Sequence, residues 1–305
     1  MNRMYYLLKP VIPWRIRMGL RRILAKRLRS HYRGSWPICE AAVRTPEGWP
    51  GWPNGKKFAF VLIHDVEGTK GFERCRRLAE TDKALGFRAS FNFVPVGEYR
   101  LSDDLRAFLN QEGFEVGVHD LHHDGSLYRS YQTFKSQVPK INQYLKSWGA
   151  VGFRSGFMFH NLEWLHDLDV LYDASTFDTD PFEPQPDAVH TIFPFWVPGS
   201  GSKGYVELPY TLPQDSTVFI LLKEKTTDVW IKKLDWVARH GGMALVTVHP
   251  DYINFDGRIS SSEYSAELYE GFLKYISNRY RETCWFALPR EVAAYVSQFK
   301  PRLRT

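Results

Sequence analysis

The chain has 305 residues, of which 44% are apolar and 24% are charged, a composition typical of a folded globular protein with a substantial core. Ten of its 40 Lys and Arg residues lie in residues 1–33, which contain no Asp or Glu, so the rest of the chain has 30 basic and 34 acidic residues. Because the excess positive charge belongs to an N-terminal arm, the composition argues against nucleic acid binding by the body of the protein.

Residues 1–57 are predicted to form a basic N-terminal arm followed by a Pro-rich linker. The apolar run at residues 4–8 is too short for a secretory signal, and no stretch has the roughly 18 apolar residues that a membrane-spanning helix needs. A basic helix is predicted from Trp14 to Leu28. It fits two interpretations equally: peripheral attachment to an anionic membrane surface, or docking against the body of the protein.

The three cysteines, Cys39, Cys75 and Cys284, are far apart, and none has a second Cys or a His at ligand spacing. Such cysteines are expected to be buried thiols in a reducing compartment rather than members of a disulfide framework. The sequence therefore predicts a cytoplasmic protein, which would lie at the inner face of the membrane if the arm binds lipid.

Residues 58–305 alternate between apolar runs and amphipathic stretches, which predicts alternating strands and helices. This order indicates a parallel β/α barrel or a doubly wound sheet. Residues 181–204 are rich in Pro and Gly and are predicted to form a long surface loop. The predicted strands are residues 58–63, 88–94, 114–118, 151–153, 172–177, 205–208, 243–248 and 285–288. The predicted helices are residues 72–85, 103–111, 131–148, 162–168, 228–239 and 263–280.

Polar residues suited to chemistry follow four of the predicted strands. In a β/α barrel the catalytic residues cluster at the carboxyl ends of the strands, so we expect these side chains to share one site. They are Asp65 and Glu67 after the first strand, His119 and His123 at the end of the third, Arg154 after the fourth, and His249 after the strand at residues 243–248.

The spacing of His119 and His123 lets both imidazoles reach one ion. A carboxylate from Asp65 or Glu67 would complete a ligand set that suits Zn²⁺ or a similar divalent metal, and the other acid would activate water. The spacing leaves open which acid has which role.

Two further residues have candidate roles in the reaction. His249 is predicted to be the general acid, because it is the only histidine at the end of a late strand. Arg154 either orients a carboxylate and supports a developing oxyanion, or forms a structural ion pair, and the sequence favours neither interpretation.

In chain order, these segments resemble the motifs of the polysaccharide deacetylases of carbohydrate esterase family 4, the chitooligosaccharide-deacetylase-like group. The H-x3-H segment is the most specific match, and residues 1–57 lie outside the resemblance. The resemblance implies an α/β fold, a distorted (β/α)7 barrel over residues 58–305, here preceded by the N-terminal basic helical arm. It also implies a divalent metal, usually zinc. The matching segments are FVLIHDVEG, GVHDLHHDG, GFRSGF, FDTDPF and LVTVHPD.

The resemblance also implies residue roles. His119 and His123 would be metal ligands, His249 the general acid, and Arg154 the residue that tethers the catalytic carboxylate. Either Asp178 or Asp180, in the fourth segment, would hold Arg154.

The sequence departs from the family pattern at two places. The acids of the first segment are separated by one residue, and family members with that spacing suggest Asp65 as base and Glu67 as metal ligand. The reverse assignment, with His64 assisting, stays open. Gly156 stands where a proline is common, which affects the expected shape of that loop.

The predicted function is metal-dependent removal of an N-acetyl or other acyl group from a sugar, in surface polysaccharide or glycolipid metabolism. Two alternatives remain: hydrolysis of a small non-sugar amide, and non-catalytic carbohydrate binding by a protein that retains the fold. An open groove lined by aromatic residues would favour a sugar, and a closed pocket would favour a small amide.

Overall fold

A curled sheet of nine strands organises the chain, which this computed structural model describes over residues 14–303 except 186 and 202. The first eight strands in chain order all belong to it. They are β1 (Phe58–Val66), β2 (Ser90–Phe93), β3 (Glu115–His119), β4 (Gly152–Arg154), β5 (Tyr172–Asp173), β6 (Phe195–Pro198), β7 (Gly204–Glu207) and β8 (Met243–Val248). A separate two-stranded sheet holds β9 (Ile253–Asn254) and β10 (Tyr264–Ser265), and β11 (Cys284–Ala287) returns to the main sheet.

The helices lie mainly between consecutive strands, as a β/α fold requires. They are α1 (Trp14–His31), α2 (Thr69–Ala84), α3 (Asp103–Gln111), α4 (Tyr131–Trp148), α5 (Asp228–His240), α6 (Ala266–Tyr280) and α7 (Pro289–Phe299). A π-helical segment, Ser216–Leu221, precedes α5. Within the described range, no helix is both long enough and apolar enough to cross a membrane.

β1 is the central strand of the sheet, and all nine of its residues are buried. It pairs in parallel with β8 on one side, and with β11 and then β2 on the other. The sheet continues through β3, β4, β5 and β7 to β6, which is the one strand of this order that pairs antiparallel. Beyond β7, Leu212 forms a parallel bridge with Val246 of β8, which brings the two sides of the curl together. The predicted distorted β/α barrel is thereby confirmed.

Side chains of β1 alternate between two layers, as they must in an extended strand. Ala59, Val61 and Ile63 belong to the cluster that fills the inside of the curl. Phe60 and Leu62 belong to the cluster between the sheet and the surrounding helices. The continuous apolar run therefore supplies both layers, as expected for a strand that is buried on both faces.

α1 extends three residues beyond its predicted end and lies against the barrel. Met18 and Ala25 are buried in the core cluster between sheet and helices, and Arg22 Nη2 donates to the carbonyl of Ile220 at 3.2 Å. The docking interpretation of this helix is therefore supported for its described residues. The part of the predicted arm before Trp14 lies outside the described residues.

The segment predicted as a linker also packs on the barrel. Ala42 and Trp52 are buried, and Trp52 Nε1 donates to the carbonyl of Gly241 at 2.7 Å. Glu47 and Arg302 exchange backbone hydrogen bonds of 2.8 and 3.0 Å. Residues 36–57 are thus in close contact with residues 58–303 rather than extended away from them.

The prediction of one long loop over residues 181–204 is wrong in its second half. That part contains β6, and Ile192 and Phe193 are buried beside it. The strand is short, contains Pro198 and lies at an antiparallel edge, so it lacks the continuous apolar run that identified the parallel strands.

Candidate metal centre and active site

The carboxyl ends of β1, β3, β4 and β8 meet at one end of the barrel, and the side chains predicted to share a site lie there. They line or adjoin a cavity of about 270 Å³. The parallel register explains this meeting, because β1 pairs with both β2 and β8 and β3 pairs with β4. The lining includes Asp65, Glu67, His119, His123 and His249.

Three of these residues form a group that could hold a metal ion. Glu67, His119 and His123 each offer one ligand atom, and the three atoms lie within 4.8 Å of one another. Two imidazole nitrogens and one carboxylate oxygen form a donor set that suits a divalent ion such as Zn²⁺. The group contains Glu67 and not Asp65.

The surroundings of the His119 ring favour its neutral form and leave one ring nitrogen unpaired. Its Nδ1 lies 3.1 Å from the carbonyl of Arg154, whereas its buried Nε2 has no hydrogen-bond partner among the described residues. Burial, together with the charge of His123, lowers the pKa of His119 to about 4, against the opposing effect of Asp65. A neutral ring that donates through Nδ1 leaves the Nε2 lone pair free for a metal, which would satisfy this buried atom.

Glu67 and His123 face each other in the same group, and both are half-buried. His123 Nε2 lies 3.2 Å from Glu67 Oε1, and the Tyr252 hydroxyl donates to Glu67 Oε2 at 3.1 Å. Burial raises the pKa of Glu67, but His249 and His123 outweigh it and hold that pKa well below its usual value. Glu67 is therefore an anionic donor at neutral pH.

Asp65 has different surroundings. It is buried, its Oδ2 accepts from Arg154 Nε at 2.5 Å, and its Oδ1 accepts from Asn92 Nδ2 at 3.0 Å. Burial raises the pKa of Asp65, but Arg154 and then His119 and His249 lower it below its usual value. Arg154 itself is held by a 2.5 Å hydrogen bond from Nη1 to the carbonyl of Ala174. The carboxylate of Asp65 is thus ionised and fixed in position.

His249 forms a dyad with Asp215, a residue that the sequence did not single out. Asp215 Oδ1 lies 2.5 Å from His249 Nδ1, and Asp215 Oδ2 accepts from the His249 backbone N–H at 2.8 Å. Burial lowers the pKa of His249, but Asp215 and Glu67 outweigh it and raise that pKa to about 10. The imidazolium form therefore persists at neutral pH, with Nε2 3.6 Å from Glu67 Oε1.

The loops that carry these residues contain unusual backbone conformations. Asp120, His123, Phe157 and Met158 all have positive φ, between 49° and 57°. Non-glycine residues in this region cost free energy and are typical of functional sites where the surrounding structure determines the backbone. Gly156 adjoins them: a Cβ there would lie 2.6 Å from Asp120 Oδ2 and 2.9 Å from His123 Cδ2. A glycine is therefore favoured beside the loop that carries His123.

Asp251 shapes the loop after β1. Its Oδ2 accepts from the N–H of Glu67 at 3.0 Å, and its Oδ1 accepts from those of Gly68 and Gly71 at 3.0 and 3.1 Å. A Cβ at Gly71 would lie 2.1 Å from Asp251 Oδ2, so only glycine permits this approach. The residue therefore caps the start of α2 and fixes the direction in which Glu67 leaves the strand.

Three candidate supporting residues do not contact the site as expected. His64 follows the outward layer of β1, where its Nε2 lies 2.8 Å from Asp82 and its Nδ1 lies 3.3 Å from the carbonyl of Val248. Strand alternation explains this, because adjacent residues point to opposite faces, and Asp65 takes the inward one. The suggested assistance from His64 is therefore wrong.

Neither candidate partner for Arg154 contacts it. Asp178 forms a buried ion pair with Lys233 at 2.5 Å, and Asp180 accepts from the Tyr210 hydroxyl at 3.0 Å. The expectation that one of them holds Arg154 is therefore wrong. The Tyr210 ring centroid lies 5.8 Å from Arg154 Cζ, so the guanidinium lies over an aromatic ring as well as beside the carboxylate of Asp65.

Sequence reasoning missed Asn92, Asp215, Asp251 and Tyr252. Asn92 is on β2 and Asp251 and Tyr252 follow His249 closely, so proximity to a predicted strand end could have drawn attention to them. Asp215 gave no such signal, because it is the N-cap of the π helix, which the sequence did not predict.

Comparison with known proteins gives a fold relationship. No protein-family model and no curated protein matches the sequence. Among solved structures, a candidate polysaccharide deacetylase from Mycobacterium smegmatis superposes with a TM-score of 0.63 at 17% identity, covering 86% of this chain and 96% of that one. This chain therefore shares its overall fold, and the resemblance inferred from the sequence motifs is confirmed at that level.

Two weaker matches have similar descriptions. The peptidoglycan deacetylase PdaC from Bacillus subtilis matches with a TM-score of 0.47 at 12% identity, covering 81% of this chain and 94% of that one. A family 4 carbohydrate esterase from Streptomyces lividans, in complex with acetate, matches with a TM-score of 0.40 at 11% identity, covering 73% and 88%. Of these three likenesses, only the first has a TM-score above 0.5.

Proposed function

We propose that this chain is a metal-dependent hydrolase that removes an N-acetyl or similar acyl group from a sugar. The observation that carries the proposal is the convergence of Glu67, His119 and His123 within 4.8 Å, in the same cavity as Asp65 and His249. A metal donor set, a separate ionised carboxylate and a protonated imidazole are the components that amide hydrolysis needs.

Glu67, His119 and His123 would hold a divalent ion, for which we propose Zn²⁺. The orphaned Nε2 of His119 and the low pKa of Glu67 both fit this assignment. When bound, the ion would supply Lewis-acid polarisation of water and of the amide carbonyl. The backbone carbonyl of Arg154 keeps the His119 ring in the tautomer that ligation requires.

Asp65 is the proposed general base. Its carboxylate takes a proton from the attacking water, and Arg154 and Asn92 hold it in the ionised form and in one orientation. His249 is the proposed general acid. Its Nε2 proton passes to the leaving amine, while Asp215 fixes the ring through Nδ1 and stabilises the imidazolium. Arg154 acts through Asp65 and is a positioning residue.

The substrate is proposed to be an N-acylated saccharide of surface polysaccharide or glycolipid metabolism. Phe157, Phe182 and Tyr252 line the cavity beside polar groups, a combination that suits the apolar faces and hydroxyls of a sugar. The cavity volume of about 270 Å³ lies below the roughly 300–1,000 Å³ of typical ligand sites. One acylated unit, rather than a long chain, would therefore occupy it, and this same small volume favours the small-amide alternative.

Residues 1–33 are proposed to make peripheral contact with an anionic membrane surface, which would agree with a cytoplasmic location at the inner face. Ten basic residues and no acids lie in this segment. On α1, Leu20, Ile23 and Leu24 are 50–55% exposed and lie at helical spacing on the side away from Met18 and Ala25. An apolar stripe among basic residues is typical of helices that bind lipid surfaces.

Acetate release and metal content test the proposed function together. The purified full chain should contain about one equivalent of Zn²⁺ and release acetate from N-acetylglucosamine oligomers, and it should lose activity with a chelator and regain it with Zn²⁺. Activity on a small acyclic amide alone would favour the small-amide alternative. Metal content without turnover on either class would leave a non-catalytic binding protein, and a metal-free protein would contradict the proposed centre.

A further inference from the structure

The N-terminal helix is part of the wall of the catalytic cavity. Met18 and Arg21 of α1 line the same cavity as Glu67, His119 and His123. The π helix, against which α1 packs, lines the same cavity through Ile220 and Leu221. Since α1 precedes the β/α barrel in sequence, it supplies the cavity with side chains that the barrel itself does not contain.

Arg21 is held at this position by contacts on both sides of it along the helix. Met18 is buried one turn before it, and Ala25 is buried one turn after it. The neighbouring Arg22 donates to the carbonyl of Ile220, and Arg29 forms an ion pair with Glu224. These contacts fix the helix against the π segment, so the exposed guanidinium of Arg21 is carried on a fixed backbone.

Arg21 is the only arginine or lysine among the described residues that line the cavity. Burial raises the pKa of Glu183, an acid of the same lining, and the charge of Arg21 is among the effects that oppose this shift. The carboxylate of Glu183 already accepts from the Tyr210 hydroxyl at 2.8 Å and from Gln214 Nε2 at 2.6 Å. Within the described chain, no hydrogen bond or ion pair engages the guanidinium of Arg21, so its five N–H donors remain available to a ligand.

We propose that Arg21 selects substrates in which the acylated sugar carries an anionic group, a carboxylate or a phosphate. A guanidinium binds either group through two parallel hydrogen bonds, and it does so from the wall of the cavity while the acyl group lies at Glu67, His119 and His123. This inference rests on the proposed function for the position of the acyl group. It makes α1 a specificity element and extends the active site beyond the barrel.

Equilibrium binding tests the role of Arg21 without requiring turnover. Three ligands are titrated calorimetrically into the Zn²⁺-loaded full chain: N-acetylglucosamine, its 1-phosphate, and N-acetylglucosaminuronic acid. Wild type should bind at least one charged ligand more tightly than the neutral sugar. The phosphate and carboxylate ligands distinguish the two sources of negative charge.

The variants separate recognition of charge from a general effect on the helix. Arg21→Gln should weaken binding of the preferred charged ligand by about ten- to a hundredfold, the usual size of a charge-assisted hydrogen bond, and leave the neutral sugar unchanged. Arg21→Lys should retain part of the preference. Arg44→Gln, at an exposed arginine outside the cavity, is the matched control and should behave as wild type.

Two results would overturn the inference: equal binding of charged and neutral ligands by wild type, or an equal effect of Arg21→Gln on both. Acetate release is measured in parallel on the same ligands. Failure of wild type to release acetate from any of them would contradict the proposed function, while the difference between charged and neutral binding would still decide the role of Arg21.

Discussion

At the scale of single residues, the two acids after β1 differ in what they contact. Asp65 is buried against Arg154 and Asn92, whereas Glu67 is half-buried and lies with His119 and His123. The two-residue spacing predicted that both would reach one site, and it could not assign their roles. The assignment depends on the partners that other strands bring to each carboxylate, and those partners are remote in sequence.

Substitution of Asp65 and substitution of Glu67 should therefore impair different properties, turnover in the first case and metal affinity in the second. Asp65→Asn keeps the shape and removes the basicity, so metal should stay bound while turnover falls by about 10²–10⁴, the usual contribution of a general base. Glu67→Gln replaces an anionic donor by a weak neutral one, so metal affinity should fall, and excess metal should partly restore activity. Metal titration beside acetate-release rates measures both effects.

Asp256→Asn, at an exposed carboxylate on the protein surface, is the control for this pair and should change neither quantity. The roles are reversed if Glu67→Gln keeps its metal and Asp65→Asn loses it.

The dyad of His249 and Asp215 leads to a prediction about how activity depends on pH. Asp215 is the main cause that raises the pKa of His249 to about 10 against the effect of burial, and the acid form is therefore present below that pH. Asp215→Asn removes this anion, so the pKa should fall and the alkaline limb of the kcat/KM profile should move to lower pH, by about 1–3 units. Rates measured between pH 6 and 11 test it. An unchanged alkaline limb would mean that His249 is not the group that titrates there.

Gly156 offers a test of the backbone beside the proposed metal centre. In Gly156→Ala the new Cβ would stand 2.6 Å from Asp120 Oδ2 and 2.9 Å from His123 Cδ2, so these side chains must move. We expect a fall in Zn²⁺ affinity of about tenfold or more, the size seen when groups that orient a ligand are changed. Gly271→Ala is the matched control, because a Cβ there meets nothing within 4 Å. Equal Zn²⁺ affinity in the two variants would contradict this reading of the loop.

At the scale of elements, prediction succeeded where a segment carries a regular apolar period. The bounds predicted for α3, α4 and β8 agree with the structure, and β1 was found from its continuous apolar run. α7 and the π helix were not predicted. α7 begins directly after β11 with Pro289, and the π helix has all but its first residue buried, so it shows no amphipathic period.

The segment predicted as a helix at residues 162–168 is a 3-10 helix at Trp164–Asp167. Leu165 and Leu168, which produce the hydrophobic pattern of this segment, are buried. The helical part is only one turn long, which is too short for an α-helix.

The exposed apolar residues of α1, which are Leu20, Ile23 and Leu24, lead to a prediction about lipid binding. The full chain should sediment with vesicles that contain anionic lipid at low salt and less so at high salt, because each basic residue near the surface contributes at most about 1 kcal/mol and is screened. Replacing Leu20, Ile23 and Leu24 by serine should release the protein at both salt concentrations, because apolar burial contributes about 25 cal/mol per Å².

Ile259→Ser removes an exposed apolar side chain elsewhere and should leave sedimentation unchanged. Sedimentation of the triple variant equal to that of wild type would leave α1 with its docking role alone.

At the scale of the whole molecule, the predicted boundary between residues 57 and 58 can be tested by truncation. A chain that starts at Trp36 keeps the contacts of Ala42, Trp52 and Glu47 with the barrel and should fold with a modest loss of stability. A chain that starts at Phe58 loses the buried Trp52 ring and its hydrogen bond to Gly241. Its free energy of unfolding should fall by at least about 3 kcal/mol, the usual cost of removing a buried tryptophan. Chemical denaturation measures both, and equal stabilities would support an independent barrel from residue 58.

The fold as a whole was predictable because two patterns in the sequence indicate the same architecture. Apolar runs typical of strands alternate with amphipathic stretches typical of helices, and the polar candidate residues follow the apolar runs. What the sequence could not supply were contacts between distant segments. The pairing of Asp178 with Lys233 in place of Arg154, and of Asp215 with His249, depends on how the strands and α5 are brought together in space.

The antiparallel strand β6 has a consequence for how copies of this protein behave at high concentration. Its partner β7 covers one side, and on the other the N–H of Trp196 donates to the carbonyl of Pro301, while Pro198 has no N–H to offer. A strand edge with free N–H groups is a template on which a second molecule can extend the sheet. Here the chain's own C-terminal segment occupies that template, so strand addition between neighbouring molecules, a common first step of aggregation, is disfavoured along β6.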